Sequence, residues 1–130
     1  MATKGKILVI DDDPDFCLIM TTGLESGGFE VRTATSGSQG LNLMRQEKPD
    51  LVFLDVVMAH PTEGVDVTTA IKGDPELWDT PVIMMTSIVN TEYLGHFPTD
   101  RPLAVDQFLT KPVPMSQVLR IADEIVGSVS

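Results

Sequence analysis

Residues 7–14 read Ile-Leu-Val-Ile-Asp-Asp-Asp-Pro: a four-residue apolar run, three carboxylates and a proline. An unbroken apolar run this short reads as a strand buried on both faces. Asp13 followed by Pro14 is an N-cap with a proline in the first helical turn, so the strand hands over to a helix with the carboxylates at the junction. The same grammar recurs along the chain. Leu51–Leu54 (LVFL) runs into Asp55, Val82–Met85 (VIMM) into Thr86 and Ser87, and Gln107–Thr110 (QFLT) into Lys111. In a parallel sheet all of these polar groups would emerge at one carboxyl edge, which is where open α/β folds place ligands.

The segments between these strands carry helical spacing. Phe16, Ile19, Met20, Gly23 and Leu24 predict the inward face of a first helix that Gly27 and Gly28 end. Phe29 to Ala34 alternates as a second strand, and Ser36 then caps a helix that turns Leu41 and Met44 inward and stops before Pro49. Leu51–Leu54, the most apolar short run, is the central strand. A loop, MAHPTEG, precedes a third helix over Val65 to Lys72 that ends near Gly73. Pro114 to Val126 is the last helix, with Val118, Ile121, Ala122 and Ile125 on one face. Strands alternating with helices predict an α/β fold: a doubly wound, five-stranded parallel sheet in three layers. The exception is Ile88 to Asp106, where Pro98 and Pro102 forbid a long continuous helix. An irregular or short-helical segment, offering Tyr93, Leu94 and Phe97 for apolar contact, is expected there in place of a full helix.

Composition narrows the class. The chain has 130 residues, 42% of them apolar, which predicts one domain over residues 1–130 with a sizeable core. No apolar run approaches the roughly 20 residues needed to cross a bilayer. Lys4 and Lys6 lead straight into a strand with no signal-peptide apolar region, so a cytoplasmic location is expected. A net charge of −10 argues against a nucleic-acid surface and for protein partners. Cys17, the single cysteine, cannot form an internal disulfide and reads as a small packed hydrophobe.

Asp11, Asp12 and Asp55, brought to adjacent strand ends, would repel one another, and a divalent cation resolves that repulsion. All-oxygen ligands select Mg²⁺ or Mn²⁺, and Mg²⁺ takes one or two carboxylates together with phosphate oxygens. Asp55, at the end of the central strand, is the candidate nucleophile, since a carboxylate can form an acyl-phosphate. Thr86 offers a hydroxyl and Lys111 a cation to the oxygens of a phosphoryl group.

The motifs IDDDP, FLDVVM, MMTS and LTKP, in this order and across essentially the whole chain, resemble the signatures of the response-regulator receiver domain of two-component signalling, whose fold is flavodoxin-like. The resemblance implies residue roles. Asp11 and Asp12 would be the acidic pair, Asp55 the phosphoacceptor, Thr86 the switch hydroxyl with Ser87 beside it, Lys111 the phosphate-binding lysine, and Phe108 the switch aromatic. The backbone carbonyl of Val57 would be a further metal ligand. A histidine kinase or phosphotransfer protein would donate the phosphoryl group, and a downstream protein would read the result. Val57 and Ile88 stand where receiver side chains border the path of the attacking water. Neither can orient a water, so a long-lived phospho-form is expected.

Plainer readings stand beside these. Asp13 and Asp15 suit a helix N-terminus without any further role. Phe108 reads more readily as a core aromatic than as a switch, Met58, Met84 and Met85 as core or loop filling, and His60 and His96 as loop residues without metal-like spacing. Two other functions compete. A small haloacid-dehalogenase-like phosphatase would use a D-x-D pattern, which Asp11 and Asp13 satisfy, but it also needs an acidic pair after a later strand, and the Thr86 segment has none. A pseudo-receiver would be a binding module that no longer takes phosphate. The chain also departs from the receiver pattern after the acceptor, where M-A-H-P-T-E-G replaces M-P-x-M-D-G. It departs again before Lys111, where the usual small residues give way to a longer, proline-interrupted segment.

Overall fold

The computed structural model describes residues 4–55, 63–87, 107–111 and 114–126. The element order is β1 (Lys6–Ile10), α1 (Pro14–Ser26), β2 (Glu30–Ala34), α2 (Gly37–Glu47), β3 (Leu51–Asp55), α3 (Glu63–Lys72), β4 (Val82–Ser87), β5 (Gln107–Lys111) and α4 (Met115–Ile125). All five strands join one sheet in the order β2-β1-β3-β4-β5, and every pairing is parallel. The expected Ile88–Asp106 segment, like Val57, Met58, His60 and His96, lies outside the described residues.

The strands β1, β3 and β4 are apolar on both sides because each side meets a helical layer. Ile7, Val9, Leu51, Phe53, Ile83 and Met85 pack with α1 and α4. Their alternating neighbours Leu8, Ile10, Val52, Leu54, Val82 and Met84 pack with Met44 of α2 and with Val67 and Ile71 of α3. Residues of period two therefore feed two separate cores, and the domain is a three-layer α/β/α sandwich. Met84 and Met85 are core, as expected.

The helix ends obey capping chemistry. Asp13 caps α1, its carboxylate accepting from the Asp15 N–H at 3.0 Å, with Pro14 at the first helical position. Gly28 then turns the chain with φ +98°, a conformation that favours glycine. Ser36 caps α2 by accepting from the Gln39 N–H at 3.2 Å, while Gln39 Oε1 accepts from the Thr35 N–H at 3.0 Å.

The inward face of α1 is Cys17, Met20 and Leu24, with Phe16 packed beside them. Ile19, expected inward, is 59% exposed, and its neighbour Leu18 is 65% exposed. Cys17 sets the centre of the buried stripe, and Ile19 lies about 200° around the helix from it at 3.6 residues per turn.

At the amino edge of the sheet, four charged side chains close a ring. Lys6 Nζ meets Glu30 at 3.4 Å and Glu47 at 3.2 Å, and the Arg32 guanidinium meets the same two carboxylates at 3.4 and 3.2 Å. Lys6 and Glu30 are direct partners across β1 and β2. The hydrogen bond to Glu47 holds the Lys6 ammonium above the usual lysine range, with Glu30 adding to it against the opposing effect of burial.

Candidate functional site

β1 and β3 are adjacent and in register, Ile7 opposite Leu51 and Ile10 opposite Leu54. Their carboxyl ends release Asp11 and Asp55 side by side, with Asp12 next to them. One carboxylate oxygen from each of Asp11, Asp12 and Asp55 lies within 4.8 Å of the others. Asp11 is fully buried and Asp55 is 5% exposed, whereas Asp12 faces solvent. Two buried carboxylates and an exposed one at this spacing form a hard-oxygen donor set that fits a divalent cation such as Mg²⁺.

Asp11 is fixed at several points. Its N–H donates to the Ala34 carbonyl at 2.9 Å, tying it to β2. Its Oδ1 accepts from the Asp13 N–H at 2.9 Å, and its carbonyl oxygen accepts from the Cys17 thiol at 3.3 Å. Asp13, by contrast, spends its carboxylate on capping α1, which removes it from the D-x-D role that a dehalogenase-like phosphatase would need.

Beyond Asp55 the carboxyl edge continues through β4 and β5. Asp55 is opposite Met85, Thr86 is opposite Thr110, and Ser87 is opposite Lys111. Thr86, Ser87 and Lys111 are the last residues of their strands, not the first residues after them. The ladder extends past the apolar runs that marked these strands in the sequence. Phe108 stands opposite Met84, lower in the same pair of strands. The backbone thus sets Asp55, Thr86, Ser87 and Lys111 on successive strands at one edge, while Val57 and Ile88 lie outside the described residues.

Residues 7–123 match the family described as "Response regulator receiver domain". The chain belongs to this family. The receiver is 34% identical over 123 residues to Protein PilH of Pseudomonas aeruginosa, covering 95% of this chain and 98% of PilH. It is 31% identical over 116 residues to the DNA-binding dual master transcriptional regulator RpaA of Synechocystis, covering 88% of this chain but 46% of RpaA. The chain therefore spans about half the length, or less, of several curated relatives it matches, PilH being an exception. Among solved structures, the signal receiver domain of a histidine kinase from Syntrophus aciditrophicus superposes with TM-score 0.82 at 24% identity, covering 97% of this chain and 92% of that one. The N-terminal domain of a response regulator receiver protein from Methanoculleus marisnigri superposes with TM-score 0.67 at 30% identity, covering 94% and 96%.

The receiver assignment sets aside the phosphatase alternative, in line with the capping role of Asp13. The flavodoxin-like fold and the two-component class both stand. Among the described residues no helix is long and apolar enough to cross a membrane. Sequence reasoning missed the thiol of Cys17 as a donor to Asp11, because a contact between residues 11 and 17 has no periodic signature.

Proposed function

We propose that residues 1–130 act as one cytoplasmic receiver domain that takes a phosphoryl group onto Asp55 and passes the signal on by protein contact. The observation that carries this reading is the convergence of Asp11, Asp12 and Asp55 within 4.8 Å, with Asp55 buried at the end of the central strand. An Asp55 carboxylate oxygen attacks phosphorus as the bond to the donor's imidazole nitrogen breaks, and the imidazole leaves with the bonding pair. Asp11, Asp12, Asp55 and the Val57 carbonyl would hold Mg²⁺ or Mn²⁺, which when bound neutralises charge on the phosphoryl oxygens. Lys111 balances the same charge, and Thr86, assisted by Ser87, bonds the phosphoryl group once it is attached. Phe108 responds as the switch aromatic. The chain is thus substrate and catalyst of its own modification and turns over no separate substrate.

The donor is a histidine kinase or a phosphotransfer protein. Exposed Leu18 and Ile19, on the helix that starts just after the acidic turn, offer apolar contact to a protein. The downstream partner is also a protein in this reading, since a net charge of −10 disfavours binding to a phosphate backbone.

Intact mass after incubation with Mg²⁺ and acetyl phosphate tests the reading. One added phosphoryl group is expected in the native chain and none in Asp55→Asn, in Asp12→Ala or in excess chelator. A native chain that gains no mass would support the pseudo-receiver instead, and unimpaired labelling of Asp55→Asn would move the acceptor elsewhere.

A further inference from the structure

We propose that Cys17 is a positioning residue for the acidic cluster, holding Asp11 in place through its thiol. The inference rests on the reading that Asp11, Asp12 and Asp55 hold a divalent cation. Three bonds close a loop between the end of β1 and the first turn of α1. The Cys17 thiol donates to the Asp11 carbonyl oxygen at 3.3 Å. The Cys17 N–H donates to the Asp13 carbonyl at 3.1 Å, and the Asp13 N–H donates to Asp11 Oδ1 at 2.9 Å. Two of these three bonds start at Cys17, and the third orients the carboxylate itself. Thr21 extends the chain by donating its hydroxyl to the Cys17 carbonyl at 2.8 Å.

Volume alone does not account for the residue. Cys17 is 5% exposed and packs with Met20 and Leu24, a place any small aliphatic side chain could fill. Only a side chain with a donor can also bond Asp11. Mg²⁺ demands near-ideal geometry, and groups that orient a metal's ligands tune its affinity. A buried carboxylate that must sit near two others, against their repulsion, is where a slack turn costs most. One wall of Cys17 also lines an open cleft of about 250 Å³ with Pro14, Leu18, Thr21, Thr33 and Thr35, so a small thiol reagent has a route to it.

Titration with Mg²⁺, followed by calorimetry on the full chain, tests the role against two variants. Cys17→Val keeps the apolar volume and removes the donor, and Cys17→Ser restores a donor. The expected result is about two- to tenfold weaker Mg²⁺ binding in Cys17→Val, the range of one lost hydrogen bond. Metal-free melting should fall by only a few degrees, since the thiol–carbonyl bond is made without metal too, and Cys17→Ser should recover at least part of the affinity. Mg²⁺ at about ten times its Kd should also slow labelling of the native thiol by an aromatic disulfide, because the labelled state has let go of Asp11. Native affinity in Cys17→Val, no recovery in Cys17→Ser, or Mg²⁺-independent labelling would each overturn the inference. A native chain that binds no Mg²⁺ would instead overturn the metal reading beneath it.

Discussion

Asp11 and Asp55 stand at the same offset as the paired residues of β1 and β3: Ile7 faces Leu51, Val9 faces Phe53, and one further step of two residues brings Asp11 level with Asp55. The two buried carboxylates are therefore neighbours because of strand register. A slip of one residue would send one of them to the opposite face of the sheet. Twelve flanking apolar side chains in β1, β3 and β4 fix that register, since each is committed to one of two cores.

Removing the Thr86 hydroxyl should separate phosphorylation from response. Thr86→Ala is expected to label with acetyl phosphate but to lose most of the phosphorylation-induced spectral change, since a contact made only in the phospho-state shifts a two-state equilibrium by about 1–3 kcal/mol. Lys111→Ala should slow the labelling or abolish the response. Identical spectral changes in Thr86→Ala and the native chain would remove Thr86 from the switch.

The phospho-form should be long-lived. If the Val57 and Ile88 side chains border the path of the attacking water, as the receiver resemblance implies, neither can hydrogen-bond that water, and in-line hydrolysis would lack positioning. Timing the decay of purified phosphoprotein in Mg²⁺ checks this, with Val57→Asn and Ile88→Glu expected to decay faster. Loss within seconds in the native chain, or no acceleration in either variant, would show that these positions do not control access.

Lys6 should make stability fall at alkaline pH. Its ammonium is held above the ordinary lysine value of 10.5, chiefly by its hydrogen bond to Glu47. A raised folded-state value means that the contribution is fully present below 10.5 and is lost as pH rises through the raised value. Urea midpoints of the native chain and Lys6→Met, compared from about pH 9 to pH 12, should differ at the lower end and converge at the upper. A constant difference across that range would mean that Lys6 acts by packing its stem alone.

Two helical glycines should respond to alanine in different ways. A Cβ at Gly40 would overlap Ile10 Cδ1 and come 2.8 Å from its Cγ1, and Ile10 is fully buried. Overpacking of this kind costs about 1–3 kcal/mol, against a helix-propensity gain of about 1 kcal/mol. At Gly23 the overlap is with the flexible end of partly buried Met115, which can turn aside. Thermal melts should therefore show Gly40→Ala destabilised and Gly23→Ala close to neutral. Equal losses at both sites would mean that Met115 is held as rigidly as Ile10.

Much of the architecture was legible because it rests on local signals. Asp13-Pro14, Ser36 and Gly27-Gly28 bound their helices as their chemistry requires, and each apolar run is a strand. The acidic cluster was legible too, since Asp11 and Asp55 each follow such a run directly and Asp12 comes next to Asp11. What escaped was tertiary. Ile19 fits a helical stripe drawn from Phe16, yet the buried stripe is centred on Cys17. β4 and β5 run on through Thr86, Ser87 and Lys111 because backbone pairing needs no apolar side chain. The bond from Cys17 to Asp11 and the ring of Lys6, Glu30, Arg32 and Glu47 join residues whose separation in sequence carries no period.

That charged ring has one more effect, set by where β2 lies. Among the described residues β2 ends the sheet, with no strand beyond its outer row of backbone groups. Such a row is a template on which another chain can add itself, and natural sheets deter this with charged side chains on the outermost strand. Glu30 and Arg32 are residues of β2, and Lys6 and Glu47 hold them in fixed positions. The four charges thus guard the domain against edge-to-edge polymerisation, a protection that high salt would weaken.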